Sequence, residues 1–284
     1  MEISLKRLHE YRSRTYRTSP GLRLSSPRQA VDFVNERGFI FLWPIKGVEL
    51  PSLWDAVAGD RPVADDHDDP GHISWAWKDQ MLDQRVWYYA RLLKHRNVFV
   101  SLELAPYFYA LTPNYGSPEE DFYEQYQQGE IPLEAKLIFE ALLKEGPLDT
   151  LSLRKAAHLS GKGSDTPFNR ALDLLQVEMK CLPVSVCEAG RWHYAFVYDL
   201  THRYYPDLSE KARPISEKQA RKMLLQSYLD SVGMASAHQI ASLFHWSGEI
   251  TAETLASLTQ ANLIQANLNL EKQKDLYFAS NKLL

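Results

Sequence analysis

The sequence predicts an α+β fold, mainly α, built from tandem units in which short helices are closed by a β-hairpin. Three observations predict it. Apolar residues recur at helical spacing through most of the chain, the same order of elements occurs twice in the C-terminal half, and each occurrence ends in two short β-rich runs joined by a polar turn. A chain of 284 residues with 45% hydrophobic and 24% charged residues can bury real cores, as one large domain or as two to three small ones.

Residues 1–116 are the least regular and read as a modified copy of the same unit. ISLKRLHEYRSRTY and SPRQAVDFVNERG have helical spacing, FIFLWP from Phe39 reads as an extended core segment, and LPSLWDAVAG as a short helix. The next stretch, WAWKDQMLDQRVWYYARLLKHR, places five aromatic residues and five Lys or Arg in 22 positions and reads as one long helix. On a helical wheel Leu82, Val86, Tyr89 and Leu93 form the buried stripe, widened by Met81, Tyr88 and Leu92. Lys78 and Arg85 fall inside that apolar sector, whereas Gln80, Gln84, Trp87 and Arg91 fall on the opposite, exposed face. NVFVSLELAPYFYAL then reads as a strand running into Pro106.

From residue 130 to 208 the order is clearer. LEAKLIFEALLKEGP is a helix stopped by Gly146 and Pro147, TLSLRKAAHL a second helix broken at Ser160 and Gly161, and SDTPFNRALDLLQVEM a third that starts at Ser164 and Asp165 with proline in its first turn. LPVSVCE and RWHYAFVYDL then form a hairpin about Ala189 and Gly190. Residues 214–284 repeat the series as EKQARKMLLQSYLDSVG, SAHQIASLF, ITAETLASLTQANL, and the paired runs LIQANLNL and LYFAS. Three helices and a hairpin make a winged helix, in which the third helix can enter a major groove and the hairpin can touch the backbone beside it.

The formal charge of −4, from 32 basic and 36 acidic residues, argues against a uniformly basic nucleic-acid binder, but the charge is segregated. From Met1 to Arg28 seven basic residues face two acidic ones. Asp65, Asp66, Asp68 and Asp69, and again Glu119, Glu120, Asp121 and Glu124, read as solvated spacers.

Several function classes lack their signatures. MEISLKRLHEY has no signal-peptide apolar region and FIFLWPI is too short to cross a bilayer, so a cytoplasmic protein without membrane contact is expected. Cys181 and Cys187 in an extended run stand roughly 20 Å apart, beyond disulfide reach. His67, Asp68, Asp69 and His72 offer metal-binding atoms without a recognised spacing, and no catalytic triad or glycine-rich phosphate loop is evident, so neither metal nor cofactor is expected.

The residues pointing to function are cationic and aromatic. Lys78 and Arg85 in an apolar sector need anionic partners. One reading gives them an internal carboxylate such as Glu49 or Glu103, or lets them snorkel to the edge of the stripe. The other makes them a phosphate site beside Trp75, Trp77 or Tyr88, whose rings could stack on a base. Arg12, Arg14 and Arg17 form an N-terminal arm that reads either as a solvated helix face or as a nucleic-acid contact. In the middle unit Lys162, Asn169 and Arg170 lie at the start of the third helix, and Arg191 and His193 in the wing. The third helix of the last unit has no Lys or Arg, which favours a scaffolding role there.

Residues 75–111, the block GPLDTLSLRKAAHLSGKGS, the run EAGRWHYAFVYDL and the tail MLLQSYLDSVGMASAHQIASLF together resemble the tandem winged-helix proteins related to AlkZ and YcaQ, in particular the AlkZ-related group, from about Pro27 onward. The resemblance implies three winged helices around a basic central DNA channel. It also implies base excision by a Gln-Φ-Gln or Gln-Φ-Asp motif, which holds the attacking water and meets the positive charge developing on the sugar. Where that motif belongs, after SPRQAVDFVNERG, this chain reads FIFLWPIKG, with no Gln or Asp between Phe39 and Gly47. The family's catalytic residues therefore do not carry over, and Trp43, Lys46, Lys78 and Asp79 are the residues from which a rebuilt site would be made, Asp79 being the candidate catalytic carboxylate.

Three readings follow: a tandem winged-helix protein that binds double-stranded, damaged DNA; a divergent glycosylase; and a protein-interaction or ligand-binding module.

Overall fold

The computed structural model of the protein describes residues 2–114, 116–190 and 192–284. It is a mixed α/β chain with three small sheets among the described residues. β1 (Glu2–Ile3) and α1 (Leu5–Thr15) precede a first repeat of α2 (Pro27–Arg37), β2 (Phe39–Phe41), α3 (Leu53–Ala58), α4 (Ile73–Met81), β3 (Tyr88–Leu93) and β4 (Arg96–Val100). Two connecting helices follow, α5 (Ala105–Tyr109) and α6 (Pro118–Gln127). The second repeat is α7 (Leu133–Glu145), β5 (Leu148–Asp149), α8 (Thr150–Ala156), α9 (Asp165–Val177), β6 (Cys181–Cys187) and β7 (Ala195–Leu200). After α10 (Thr201–Tyr204) and α11 (Leu208–Ala212), the third repeat is α12 (Glu217–Val232), β8 (Met234–Ser236), α13 (Ala237–Phe244), α14 (Gly248–Gln260), β9 (Ile264–Leu270) and β10 (Leu276–Ser280).

The sheets repeat as the helices do. In each, the short strand that follows the first helix pairs antiparallel with the second strand of the hairpin, giving β2-β4-β3, β5-β7-β6 and β8-β10-β9. β1 extends the third sheet by pairing in parallel with β9, and α1 packs with it through Leu8 and Tyr11 against Met234 and Leu268.

Local chemistry sets the boundaries. Ser26, Ser52, Ser216, Ser236 and Ser247 cap their helices by accepting from a first-turn backbone N–H. Gly38 and Gly233 end α2 and α12 at equivalent places, with φ of 82° and 81°, a conformation that costs other residues energy. A Cβ at Gly38 would run into Leu104 and Ser227, and one at Gly233 into Tyr11 and Leu8.

The repeats share a core. Phe39, Tyr88 and Val100 of the first, Leu182 of the second, and Leu225, Tyr228 and Ile240 of the third belong to one buried cluster.

Three expectations from the sequence are corrected here. Residues 75–96 are not one helix: α4 ends at Met81, a 3-10 turn covers Leu82–Gln84, Arg85 takes a left-handed conformation (φ 52°), and Tyr88 opens β3. Helical and strand spacing coincide over a short apolar run such as WYYARLL, and β-branched and aromatic side chains favour the strand. Trp87 is consequently buried, not exposed, and Arg85 is exposed, lying over the Tyr204 ring. The run from Asn97 does not reach Pro106 as a strand, because β4 stops at Val100 and α5 begins at Ala105 with Pro106 in its first turn. The acidic segment after Ser117 is a helix that stacks Phe122 on Phe139, its carboxylates favoured at the helix N-terminus.

Candidate functional site

Lys78 lies on α4 with its side chain fully buried, the costliest position for an ammonium without a partner. Two oxygens meet it: its Nζ donates to Asp79 Oδ1 and, at 2.8 Å, to Tyr194 Oη. Tyr194 in turn donates to the same Asp79 Oδ1 at 3.0 Å, which closes a triangle of hydrogen bonds. Around it Nζ stands 4.3 Å from the centre of the Trp75 ring and 4.4 Å from that of Phe196, with Tyr194 and Tyr89 at 5.5 and 5.8 Å. The cage thus combines α4 and β3 of the first repeat with the hairpin of the second.

Burial sets the electrostatics of the cage. It pushes the Lys78 ammonium down to about 8, with Asp79 offsetting part of the fall. Burial, then the Asp79 charge, pushes the Tyr194 hydroxyl well above the usual phenol range. Asp79 is partly solvated, its side chain 17% exposed, and Tyr194 is likewise only half-buried. Away from the cage, the Asp55 carboxyl rises to about 6 through burial and is engaged with Ser52 at the cap of α3.

Three aromatic rings run outward from the cage. Tyr194 lies 5.6 Å from Trp75, and Trp75 lies 5.3 Å from Trp43, whose buried Nε1 has no hydrogen-bond partner. Trp77, by contrast, is a core residue, 7% exposed. Lys46 is exposed in the turn after Trp43.

Neither Glu49 nor Glu103 partners Lys78; Glu49 binds Arg12, and Asp79 takes the role. Adjacent residues on a helix point in different directions, which hides this pairing from a helical wheel, but the long lysine side chain bends back to its neighbour.

The remaining candidates lie elsewhere. Arg12 is committed to Glu49 and to the carbonyls of Val232 and Met234, and Arg17 to Glu36, while Arg14 is exposed. Lys162, Asn169 and Arg170 are exposed at and before the start of α9 and form no ion pair among the described residues. His193 is exposed beside Tyr194, and Arg191 lies outside the described residues. Asp69 holds Arg61 and His72 Nε2 meets the Ala64 carbonyl; among the described residues no three His, Cys, Asp or Glu are grouped to hold a metal.

β2 forms the first part of the FIFLWPIKG stretch. Phe39 and Phe41 are fully buried, and the Phe39 ring meets Phe108 edge-on at 5.3 Å and Phe244 at 6.0 Å. No carboxylate or amide projects from this strand.

The chain matches the AlkZ-related family over residues 24–245. It belongs to that family. The AlkZ-related chain also shares its fold with the Streptomyces sahachiroi DNA glycosylase AlkZ, with a TM-score of 0.56 and 13% identity over 99% of this chain and 71% of the other. No curated protein matches it. No helix among the described residues is long and apolar enough to cross a membrane.

Sequence reasoning missed Tyr194, Phe196 and Tyr89. The signal was present in RWHYAFVYDL, where Tyr194 adjoins His193 and alternates with Phe196 along the strand, but the contact with α4 is made across 115 residues or more.

Proposed function

We propose that this AlkZ-related protein is a DNA-binding protein of the DNA-repair kind, built of tandem winged helices, that recognises damaged duplex DNA without excising a base. The observation that supports this reading is a fold held in common with a DNA glycosylase, together with a buried, wholly apolar β2 (Phe39–Phe41) in the stretch where the resemblance leads one to expect the polar motif. Such a strand can neither orient a water nor meet positive charge on a sugar. The surface chemistry of binding remains: Lys162 and Arg170 supply phosphate contacts, Asn169 can read a base edge, and His193 sits on the wing. Trp43 and Trp75 offer aromatic faces to an unstacked base.

A second reading, excision by a rebuilt site, is favoured by the partial exposure of Asp79 beside those rings. Asp79 would meet the developing positive charge, as carboxylates do in glycoside hydrolysis.

Fluorescence anisotropy with an intact duplex and one carrying an abasic analogue, titrated with salt, tests the first reading. Binding that weakens steeply with salt and prefers the abasic duplex supports it. No binding at low salt overturns it and favours a protein-interaction role. Excision of an alkylated base by the wild type, lost in Asp79→Asn with DNA binding retained, establishes the second reading instead.

A further inference from the structure

A cavity of about 780 Å3 lies where the three repeats meet, within the size range of small-molecule sites. Its walls come from the β3–β4 turn, α5, the end of α9, α12 and the turn between α13 and α14. The charge on those walls is one-sided. Lys94, His95, Arg221 and His245 line the cavity and, among the described residues, no Asp or Glu does, in a chain whose net charge is −4.

Placing the cations there requires unusual backbone. Leu93 pairs with Arg96, so Lys94 and His95 are the two residues of a tight hairpin turn, both with φ of 54°. Such turns favour Asn and Gly, which reach positive φ at less cost. His245, between α13 and α14, has φ of 58°. Three of the four cationic or imidazole side chains therefore stand at left-handed positions, a cost associated with functional sites.

The donors are not all used. Arg221 pairs with Glu217 through Nη2, and its Nε is buried with no partner, but the side chain keeps 18% of its surface exposed, so N–H groups of the guanidinium not used by Glu217 can donate to an anion. Lys94 Nζ spends one of its three donors on Ser242 at 2.8 Å, and His95 meets Asp173 at 2.6 Å. Beside them Phe244 and Trp246 stack with ring centres 4.5 Å apart and planes 15° apart, both half-buried in the wall.

We infer that this cavity is a binding site for a nucleoside monophosphate, its phosphate held by Arg221 and Lys94 and its base against Trp246. An aromatic face beside the Lys94 ammonium and the Arg221 guanidinium, with no carboxylate in the wall among the described residues and Glu217 and Asp173 behind it, suits an anion joined to a planar ring. The same chemistry comes from two sources, a free mononucleotide or the terminal nucleotide of a DNA strand. The site is separate from the surface of α9 assigned to duplex contact, so the two proposals fail independently.

The test is calorimetric titration of the full chain with 2′-deoxyadenosine 5′-monophosphate, with deoxyadenosine and inorganic phosphate as half-ligands. Expected is binding of the nucleotide at least tenfold tighter than of either half, weakened at least tenfold by Arg221→Gln and by Trp246→Ala. Lys94→Gln, on an exposed turn, gives a second variant whose folding is secure, and it should weaken the nucleotide and leave deoxyadenosine unaffected. A 5′-phosphorylated single-stranded oligonucleotide compared with its 5′-hydroxyl counterpart separates the sources, a strand end being indicated if only the phosphorylated strand binds. No binding of the mononucleotide or the phosphorylated strand, equal affinity for nucleotide and phosphate, or indifference to both Arg221→Gln and Lys94→Gln would each overturn the inference. The duplex measurements above are unaffected by any of these results.

Discussion

Lys78 and Tyr194, 116 residues apart in sequence, donate to the same oxygen of Asp79 and thereby fasten the hairpin of the second repeat to α4 of the first. The three members are not equivalent, because Lys78 is sealed from water whereas Asp79 and Tyr194 are each partly exposed. Asp79→Ala leaves a buried ammonium without a counter-charge and should cost about 3 kcal/mol at pH 7. Lys78→Met fills the cage with an apolar chain and leaves Asp79, which is partly exposed, with Tyr194 as a donor, so at pH 7 it should be neutral or stabilising. Urea denaturation of the two variants checks the order, and equal losses would show that the ammonium does not depend on the carboxylate.

The cage also makes stability depend on pH. Lys78 titrates near 8 in the folded chain and near 10.4 when unfolded, so between those values the unfolded chain holds one more proton. Stability from this group therefore rises with pH across that window, and below pH 8 the charged lysine costs on the order of 3 kcal/mol. Buried tyrosines oppose the trend above pH 10, since the unfolded chain ionises first. Unfolding free energies at pH 7.5 and 9.5 should differ more for the wild type than for Lys78→Met, in which this contribution is absent.

Phe39 lies in the stretch where the resemblance leads one to expect the polar motif, and its buried ring packs against Phe108 and Phe244. Phe39→Gln should destabilise the chain by about 3 kcal/mol, from lost packing against Phe108 and Phe244 and a buried amide without partners. The same variant should gain no excision activity on an alkylated duplex. A stable, active Phe39→Gln protein would mean that the pocket is still shaped for catalysis.

Contacts at the start of α9 should appear in the salt dependence of binding. Replacing Lys162 and Arg170 together with Gln should reduce the slope of log affinity against log salt by about 1 for each lost phosphate contact, with no change in folding. Asn169→Ala should leave the slope unchanged and alter preference among sequences. An unchanged slope in the double variant would remove α9 from the duplex interface.

The periodic parts of this chain are readable from sequence where a helix carries its own start and stop. Ser26, Ser216, Gly38 and Gly233 mark ends that local chemistry dictates without reference to the rest of the fold. The stretch from Val86 to Leu93 reads as helix because its apolar density satisfies two periods at once, and only the pairing of β3 with β4 decides between them. At the cage, Trp43, Trp75, Lys78 and Asp79 stood out by composition. Tyr194 did not, because its role depends on a contact made by tertiary folding. The cavity cations were hidden for the same reason, being drawn from the first and third repeats.

The pairing of β1 with β9 bears on the order of synthesis. Residues 2–15 leave the ribosome long before residues 264–270 exist, yet they have no sheet to join until then. Leu5 and Glu271, hydrogen-bonded at 3.1 Å, are separated by 266 residues, so closing this contact carries a large loop entropy and belongs late in folding. Until it closes, α1 has an unburied apolar face and β9 an open edge, two surfaces that invite a neighbouring chain. A nascent chain stalled before residue 264 should therefore be a substrate for chaperones even with its first two repeats in place.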